Sequence, residues 1–365
     1  MKVRYLNLSV IDAALKSELL DAIDRVLSHG QVILGPEIAQ FENKIADFCH
    51  RKYAIGVSSG TDALYMALRS LNIGSGDEVI TTSMSWVATL NAIVLTGATP
   101  VFVDIREDLN MDTGLIPEMI TKKTKAIVPV HYTGQMCDMN KLMDIAGKHN
   151  LYVVEDAAQA FGAKQAHRTA GSFGDISCFS MNSMKVFHSY GEAGAVLTDR
   201  LDIKDKLEAL RYNGTVNREN CHYPSLNFRM QTLQAACLLI ELKRVGQIIQ
   251  KRCRIAKKYD QALSGCVKCP VQNPGFSNVF YTYVIQVEQR DELRAYLDKS
   301  GIETKIHHPL LLPEHQAYKD KFNPRLPVSE KIVKRMLSIP NHEKLTSLEQ
   351  DWVIESILNF YGMKI

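Results

Sequence analysis

Residues 151–198 decide the fold and read LYVVEDAAQAFGAKQAHRTAGSFGDISCFSMNSMKVFHSYGEAGAVLT. The apolar run at 151–154 ends at two acids, Glu155 and Asp156. Such a run, closed by polar residues, is typical of a buried parallel strand whose C-terminal end carries functional groups. A second short run at 176–180 precedes Lys185, which lies 29 positions after Asp156. We therefore expect strands that bring an acid and an amine to one edge of a sheet.

A strand-end carboxylate and a lysine in a loop-built pocket suit pyridoxal phosphate. The acid would keep the pyridine nitrogen protonated, so that the ring draws electrons from the carbon being deprotonated, and the lysine would form the Schiff base. Aspartate and lysine are common residues, however, and the spacing alone fits a helix cap at Asp156 and a surface lysine at Lys185 equally well. The surrounding motifs have to distinguish these interpretations.

The composition indicates an ordinary globular protein. Of the 365 residues, 46% are hydrophobic and 23% are charged, and the net charge of +3 predicts no strong attraction to nucleic acid or an anionic membrane. No apolar run approaches the roughly 20 residues that span a bilayer, and the N-terminal residues lack a signal-peptide core. We expect a cytoplasmic protein with reduced thiols. Its eight cysteines are scattered, and the lone CxxC at 266–269 does not predict a metal site.

Strand and helix patterns alternate through the first part of the chain, which predicts a mostly parallel sheet covered by helices on both faces. The predicted fold is α/β, with a three-layer α/β/α large domain over residues 1–245 and a smaller α+β domain over residues 246–365. Strands of the smaller domain are predicted at 279–287 and 301–307, and a long helix reaching residue 263 bridges the two domains. Ligands of such sheets bind beyond the C-terminal strand ends.

Several residues that can carry chemistry fall at or just after predicted strand ends: Thr61, Trp86, His131, Asp156 and Lys185. The segment around Gly60 and Thr61 lies between a strand and a helix, where free backbone N–H groups and the helix dipole favour phosphate. A simple helix cap by Ser59 or Thr61 explains the same pattern. The indole of Trp86 would either stack on a flat ring or pack in the core.

Seven motifs, in this order and spacing, resemble the DegT/DnrJ/StrS sugar aminotransferases, which are pyridoxal-phosphate enzymes of the aspartate aminotransferase fold (fold type I). The resemblance runs from VILGPE at 32–37 to SIP at 338–340. The motifs are SGTDAL at 59–64, GDEVI at 76–80, EDAAQA at 155–160, FSMNSMK at 179–185, GEAG at 191–194, NFRM at 227–230 and HHP at 307–309. None of them is specific alone, whereas the combination is highly specific.

The resemblance implies a role for each residue around the cofactor ring. Lys185 matches the lysine that forms the Schiff base and moves the proton between substrate and cofactor carbons. Asp156 matches the partner of the pyridine nitrogen. Gln159 matches a side chain near the ring hydroxyl, and Trp86 matches an aromatic residue that stacks on the ring.

The resemblance also implies how the cofactor phosphate is held. Gly60 and Thr61 would supply backbone groups, and Ser180 would supply a hydroxyl. Asn227 matches a residue that reaches the phosphate of the neighbouring subunit. The resemblance therefore implies a homodimer with shared active sites.

Members of this family usually make amino sugars, here for surface polysaccharide or glycan biosynthesis. The implied reaction moves the amino group of L-glutamate to the keto group of a nucleotide-linked sugar, with pyridoxamine phosphate formed on the way. Gly35 and His307 match positions that contact the sugar or its diphosphate. Arg229 lies in a basic, loop-rich tract that would help to bind the diphosphate, and His188 is expected on the substrate side.

The residues around the lysine depart from the common family pattern at 181–184 and at 186–190. This departure concerns the identity of the substrate rather than that of the cofactor. A dehydratase branch of the family has histidine in place of the lysine, and Lys185 argues against that branch. A non-catalytic regulator on the same fold is the third interpretation, and the presence of Lys185, Asp156 and Gln159 together argues against it.

Overall fold

A computed structural model describes residues 1–363 and places a seven-stranded sheet between two helical layers. Adjacent side chains of a strand point to opposite faces of the sheet. A central strand covered by helices on both faces therefore buries the side chains of both faces. In the strand that carries the two acids, Val153 packs into one hydrophobic cluster and Val154 into the other. The predicted three-layer α/β/α fold is confirmed.

The strands are listed here in chain order. They are β1 (Tyr53–Val57), β2 (Glu78–Thr82), β3 (Thr99–Val103), β4 (Thr124–Val128), β5 (Tyr152–Asp156), β6 (Lys164–Gln165), β7 (Arg168–Thr169), β8 (Ile176–Ser180), β9 (Gly194–Thr198), β10 (Thr215–Val216), β11 (Asn220–Cys221), β12 (Phe276–Ser277), β13 (Tyr283–Gln286) and β14 (Met336–Ile339).

The helices follow the same convention. They are α1 (Ala13–His29), α2 (Pro36–Phe48), α3 (Gly60–Ser70), α4 (Ala88–Leu95), α5 (Ile116–Met119), α6 (Met139–His149), α7 (Leu201–Arg211), α8 (Thr232–Leu263), α9 (Arg290–Lys299), α10 (Pro327–Val333) and α11 (Ser347–Phe360). Within residues 1–363, none of them combines the length and apolar character needed to cross a membrane.

The order of the main sheet is β1-β9-β8-β5-β4-β2-β3. Strand β9 pairs antiparallel with both of its neighbours, and the other adjacent strands pair in parallel. Six of the seven strands therefore run in one direction, and their C-terminal ends share one edge. The segments that follow β1, β2, β4, β5 and β8 all begin at this edge, which we call the functional edge.

Local sequence signals fix several element boundaries. The carboxylate of Asp12 accepts hydrogen bonds from the N–H groups of Ala14 and Leu15 and caps α1. Gly30 ends that helix in the left-handed conformation, with φ 72°. Proline occupies the first position of α2, where its missing N–H costs no helical hydrogen bond.

The C-terminal part of the chain is built on the antiparallel pair β13 and β14, which packs with α9 and α11. The predicted strand at 301–307 is wrong: only Ile302 and Lys305 make isolated bridges, to Val3 and Ser338. Strand β4 ends at Val128 and is followed by a short 3₁₀ turn at Tyr132–Gly134. Helix α8 runs without interruption through residue 245, and the division into two domains there stays a prediction.

Candidate active site

The functional edge carries most of the predicted cofactor residues. Gly60 follows β1, Trp86 follows β2, and Lys185 follows β8, while Asp156 is the last residue of β5. Backbone hydrogen bonds from Asp156 N–H to Pro129 and from His131 N–H to Asp156 hold β5 against the segment after β4. The fold therefore gathers side chains from distant parts of the sequence at one place.

Asp156 is a buried carboxylate with two protein donors. Its Oδ2 accepts from Thr89 Oγ1 at 2.9 Å, and its Oδ1 accepts from Ala158 N–H at 3.2 Å. Burial raises the pKa of Asp156, while the hydrogen bonds and the positive charge of Lys185 oppose that rise. A carboxylate oxygen has two lone pairs, so both oxygens retain capacity for a further donor such as a protonated ring nitrogen.

The adjacent acid, Glu155, has no such spare capacity. It accepts from His131 Nε2 at 2.8 Å, from Ser177 Oγ at 2.8 Å, and from two backbone N–H groups, those of Gly171 and Phe173. Burial acts to raise the pKa of Glu155, but its donors, with His131 foremost, hold it below its usual value. Glu155 therefore stabilises the fold, whereas Asp156 is the acid that keeps lone pairs for a further donor.

Lys185 lies beside an aromatic ring and within electrostatic reach of Asp156 and two histidines. Its Nζ is 4.5 Å from the ring centroid of Tyr281, within the range of a cation–π contact. Its charge also lowers the pKa values of His307 and His308 and opposes the rise at Asp156. The amine predicted to bind the cofactor thus shares one site with the acid predicted to bind the ring nitrogen.

The N-terminus of α3 forms a cradle beside Ser180. A Cβ atom built on Gly60 would lie 2.5 Å from Ser180 Cβ, so this position accepts no side chain without displacement. Ser59 caps the helix by accepting from Asp62 N–H at 3.2 Å. Within residues 1–363, no acceptor pairs with the N–H groups of Gly60 or Thr61. Unpaired N–H groups at a helix N-terminus bind phosphate well.

Gln159 and Trp86 are two further predicted cofactor residues, and they follow β5 and β2 at the functional edge. Gln159 Oε1 accepts from Thr133 N–H at 2.9 Å, which leaves the Nε2 donor for a ligand oxygen. Trp86 is 56% exposed, so its ring is not the core packing that was the alternative interpretation. Its centroid lies 5.4 Å from that of His308, with the rings tilted by 43°.

Two histidines border the lysine on the side of the C-terminal segment. Burial, together with neighbouring positive charges, lowers the pKa of His307 to about 3 and that of His308 to about 4. The Nδ1 atoms of His307 and His308 lie 3.4 Å from Tyr5 Oη and 3.3 Å from Tyr132 Oη, respectively. Both rings are therefore uncharged near neutral pH and act as hydrogen-bonding groups.

The remaining predicted residues are Gly35, His188 and Arg229, expected to contact the substrate, and Asn227, expected to reach the cofactor phosphate. Gly35 precedes α2 and donates its N–H to Thr232 Oγ1 at 3.0 Å. His188 packs against Tyr190, with ring centroids 5.8 Å apart, and burial lowers its pKa. Asn227 is exposed and accepts from Arg229 Nε at 2.7 Å. No hydrogen bond or ion pair within residues 1–363 joins these four to Lys185 or Asp156, and their roles stay predictions.

Sequence reasoning missed three contacts of this site. Thr89, Tyr281 and His308 touch or border the acid and the lysine, yet the motifs assign them no role. Thr89 carried one local signal, because its hydroxyl follows that of Ser85 at helical spacing. Tyr281 lies 96 positions from Lys185, and no local pattern links them.

This donor set fits pyridoxal phosphate. The helix N-terminus and the cradle at Gly60 suit the phosphate, and the free Nε2 of Gln159 suits the ring oxygen. Asp156 keeps lone pairs for the ring nitrogen, and Lys185 is within electrostatic reach of it. The absence of a side chain at Gly60 also lets a ligand approach the backbone there.

Comparisons with known proteins agree with this geometry. A family model described as the DegT/DnrJ/EryC1/StrS aminotransferase family matches residues 13–358. A dTDP-3-amino-3,4,6-trideoxy-alpha-D-glucose transaminase of Streptomyces venezuelae is 37% identical over 344 residues, which cover 93% of this chain and 91% of that protein. A pleiotropic regulatory protein of Geobacillus stearothermophilus is 36% identical over 371 residues and covers 99% of both chains.

A solved structure matches the whole fold as well. The crystal structure of S. venezuelae DesV in complex with a ketimine intermediate superposes with a TM-score of 0.97. It is 36% identical, and the alignment covers 100% of both chains.

Proposed function

Because this chain belongs to the DegT/DnrJ/EryC1/StrS aminotransferase family, we propose that it moves the amino group of L-glutamate to the keto group of a nucleotide-linked sugar. The product would be an amino sugar for a polysaccharide or glycan. Pyridoxal 5'-phosphate is the cofactor, with pyridoxamine 5'-phosphate as its aminated form. One observation carries the proposal. Asp156 and Lys185 share one site, and the N-terminus of α3 at Gly60 has backbone N–H groups that no acceptor within residues 1–363 satisfies.

When bound, pyridoxal phosphate supplies an aldehyde that takes up an amine and a ring that withdraws electrons from the adjacent carbon. Asp156 would hold the ring nitrogen protonated through its free lone pairs. Its burial strengthens that interaction, since few water molecules compete for the carboxylate. Trp86 would cover one face of the ring and exclude water from it.

Lys185 would do two things with a single atom. Its Nζ would hold the cofactor in the resting enzyme, and once released it would take a proton from one carbon and return it to another. Tyr281 at 4.5 Å limits where the freed amine can move. Both tasks need a neutral amine. Because the rings of His307 and His308 are uncharged, no protonated imidazole of theirs can return a proton to that amine.

The phosphate would lie on the N–H groups of Gly60 and Thr61, with the hydroxyl of Ser180 beside them. We also propose a homodimer in which Asn227 reaches the phosphate of the neighbouring subunit. Asn227 is exposed and its Oδ1 is held by Arg229, so its amide donor is free to serve such a contact. Gly35, His188, Arg229 and His307 are proposed to contact the sugar or its diphosphate.

Incubation with a panel of dTDP-, UDP- and GDP-linked 3-keto and 4-keto sugars tests the proposal. With ¹⁵N-labelled L-glutamate as donor, one member of the panel should gain a labelled amine by mass spectrometry, and 2-oxoglutarate should form in equal amount. Lys185→Ala is the matched control and should yield neither product. If glutamate forms no 2-oxoglutarate and no sugar gains the label, the proposal is wrong.

A regulatory role is the second candidate, because one relative bears the name of a pleiotropic regulatory protein. The two candidates differ in what they require of the site. An aminotransferase needs Lys185 and a bound cofactor, whereas a regulator that has lost catalysis does not. Purified protein that stays colourless after addition of pyridoxal phosphate would favour the regulator and exclude the enzyme.

A further inference from the structure

Two hydroxyl side chains form a hydrogen-bonded chain that ends at Asp156. Thr89 Oγ1 donates to Asp156 Oδ2 at 2.9 Å, and Ser85 Oγ lies 2.8 Å from Thr89 Oγ1. Ser85 and Thr89 are each 2% exposed, and Asp156 is 4% exposed. The three groups therefore form a dry chain in which each hydrogen bond is protected from water.

The direction of the chain follows from the acid at its end. An ionised carboxylate accepts only, so the hydrogen of Thr89 Oγ1 points to Asp156. A threonine hydroxyl has one hydrogen, and Thr89 can therefore only accept from Ser85. Hydrogen bonds that run in one direction polarise one another, so Ser85 strengthens the bond that Thr89 donates.

The chain belongs to the same loop as the proposed stacking residue. Ser85 directly precedes Trp86, and Thr89 lies in the first turn of α4. One short segment after β2 thus presents an indole ring and supports a carboxylate on β5. A movement of this loop would therefore shift the indole of Trp86 and break the hydrogen bond to Asp156.

We propose that Ser85 and Thr89 are positioning residues that fix the orientation of Asp156 toward the ring nitrogen of the cofactor and keep its carboxylate ionised. This inference rests on the proposed function, since it gives Asp156 a cofactor to face. Thr89 acts through Asp156 and does not itself touch the reacting atoms. The other charged or titratable side chains that face Asp156 are Lys185, His131 and the thiol of Cys178.

Thr89→Val tests the inference, with Thr89→Ser as the matched control. Valine keeps the shape and loses the donor, whereas serine keeps the donor. A hydrogen bond to a charged group is worth more than a neutral one, so we expect Thr89→Val to weaken pyridoxal phosphate binding about tenfold. Thr89→Ser should stay within about threefold of the unaltered protein, and Ser85→Ala should lie between the two.

A spectroscopic readout separates positioning from simple packing. If Asp156 holds the ring nitrogen less firmly, the ring withdraws fewer electrons and the lysine-bound cofactor keeps its proton to higher pH. The pH midpoint of the visible absorbance band should therefore rise in Thr89→Val and return in Thr89→Ser. A packing defect lowers the melting temperature without moving this midpoint.

The result that overturns the inference is a Thr89→Val protein with the original affinity for pyridoxal phosphate and the original midpoint. If Thr89→Val does not fold, Ser85→Ala is measured instead, since this substitution removes only the donor to Thr89. An unchanged affinity for pyridoxal phosphate and an unchanged midpoint in Ser85→Ala would then overturn the inference. These measurements use pyridoxal phosphate alone. An unaltered protein that binds the cofactor but transfers no amine contradicts the proposed function and leaves the Thr89 comparison intact.

Discussion

Gly60→Ala is the substitution whose effect the structure fixes most closely. A methyl group at Gly60 would lie 2.5 Å from Ser180 Cβ and 3.0 Å from Ser180 Cα. Carbon atoms in ordinary contact are about 3.5–4.0 Å apart, so α3 and β8 would have to separate by about 1 Å. Ser180 pairs with Gly194 of β9 along its backbone and cannot easily move away. We expect overpacking to cost about 1–3 kcal/mol of unfolding free energy.

The same displacement would weaken cofactor binding. The N–H groups of Gly60 and Thr61 would shift from the phosphate, and a lost hydrogen bond to a charged group costs about 1.5–3 kcal/mol. This corresponds to a rise of about 10- to 100-fold in the dissociation constant of pyridoxal phosphate. Urea unfolding of the cofactor-free protein measures the first effect, and an absorbance titration with pyridoxal phosphate measures the second.

Gly147→Ala is the control for this prediction. Gly147 lies in α6, and a Cβ there would meet no heavy atom within 4 Å. Alanine should therefore stabilise the helix by about 0.5–1 kcal/mol and leave cofactor binding unchanged. If Gly60→Ala is as stable as the unaltered protein and binds pyridoxal phosphate equally well, the phosphate cradle has been misplaced.

Three further predictions concern side chains of the site. Lys185→Ala should abolish amine transfer, measured as product formation, while the protein still binds pyridoxamine phosphate, measured by equilibrium dialysis. Turnover within tenfold of the unaltered protein would contradict the role of Lys185. Asp156→Asn removes the negative charge but keeps an oxygen that accepts from Thr89. We expect turnover to fall at least 100-fold, which is roughly 3 kcal/mol of transition-state stabilisation. A loss below tenfold in single-turnover measurements with glutamate would refute the role of the Asp156 charge. Burial lowers the pKa of His307 to about 3, so the folded protein does not take up this proton as the pH falls below about 6.5, whereas the unfolded chain does. The stability attributable to His307 should therefore fall by about 2 kcal/mol between pH 7 and pH 5. His307→Gln should reduce this acid sensitivity in urea titrations, and an unchanged pH dependence would show that His307 is not held uncharged.

Strands with strong local signals were predicted closely. The run at 176–180, which follows Asp175, forms a strand with the predicted limits. The strand of the two acids begins and ends within two residues of its apolar run, because the carboxylates continue the strand before the chain turns. The order of strand and helix was enough to give the parallel sheet and its functional edge.

Features that depend on distant partners were not predictable in this way. The segment at 301–307 has the residues of a strand, but Val3 and Ser338 each pair with only one of its residues. The bond from Thr89 to Asp156 joins residues 67 positions apart and exists only because β2 and β5 both flank β4. The motifs therefore gave the acid and the lysine, while the side chains that orient them required the fold.

The most direct test of the central claim is to locate the lysine that binds the cofactor. Borohydride fixes the link between pyridoxal phosphate and its lysine, and peptide mass spectrometry then identifies the modified residue. The account predicts a pyridoxyl group on Lys185 alone in the unaltered protein and a lower yield in Asp156→Asn. Modification of another lysine, or of none, would contradict the placement of Lys185 and Asp156 around a shared cofactor.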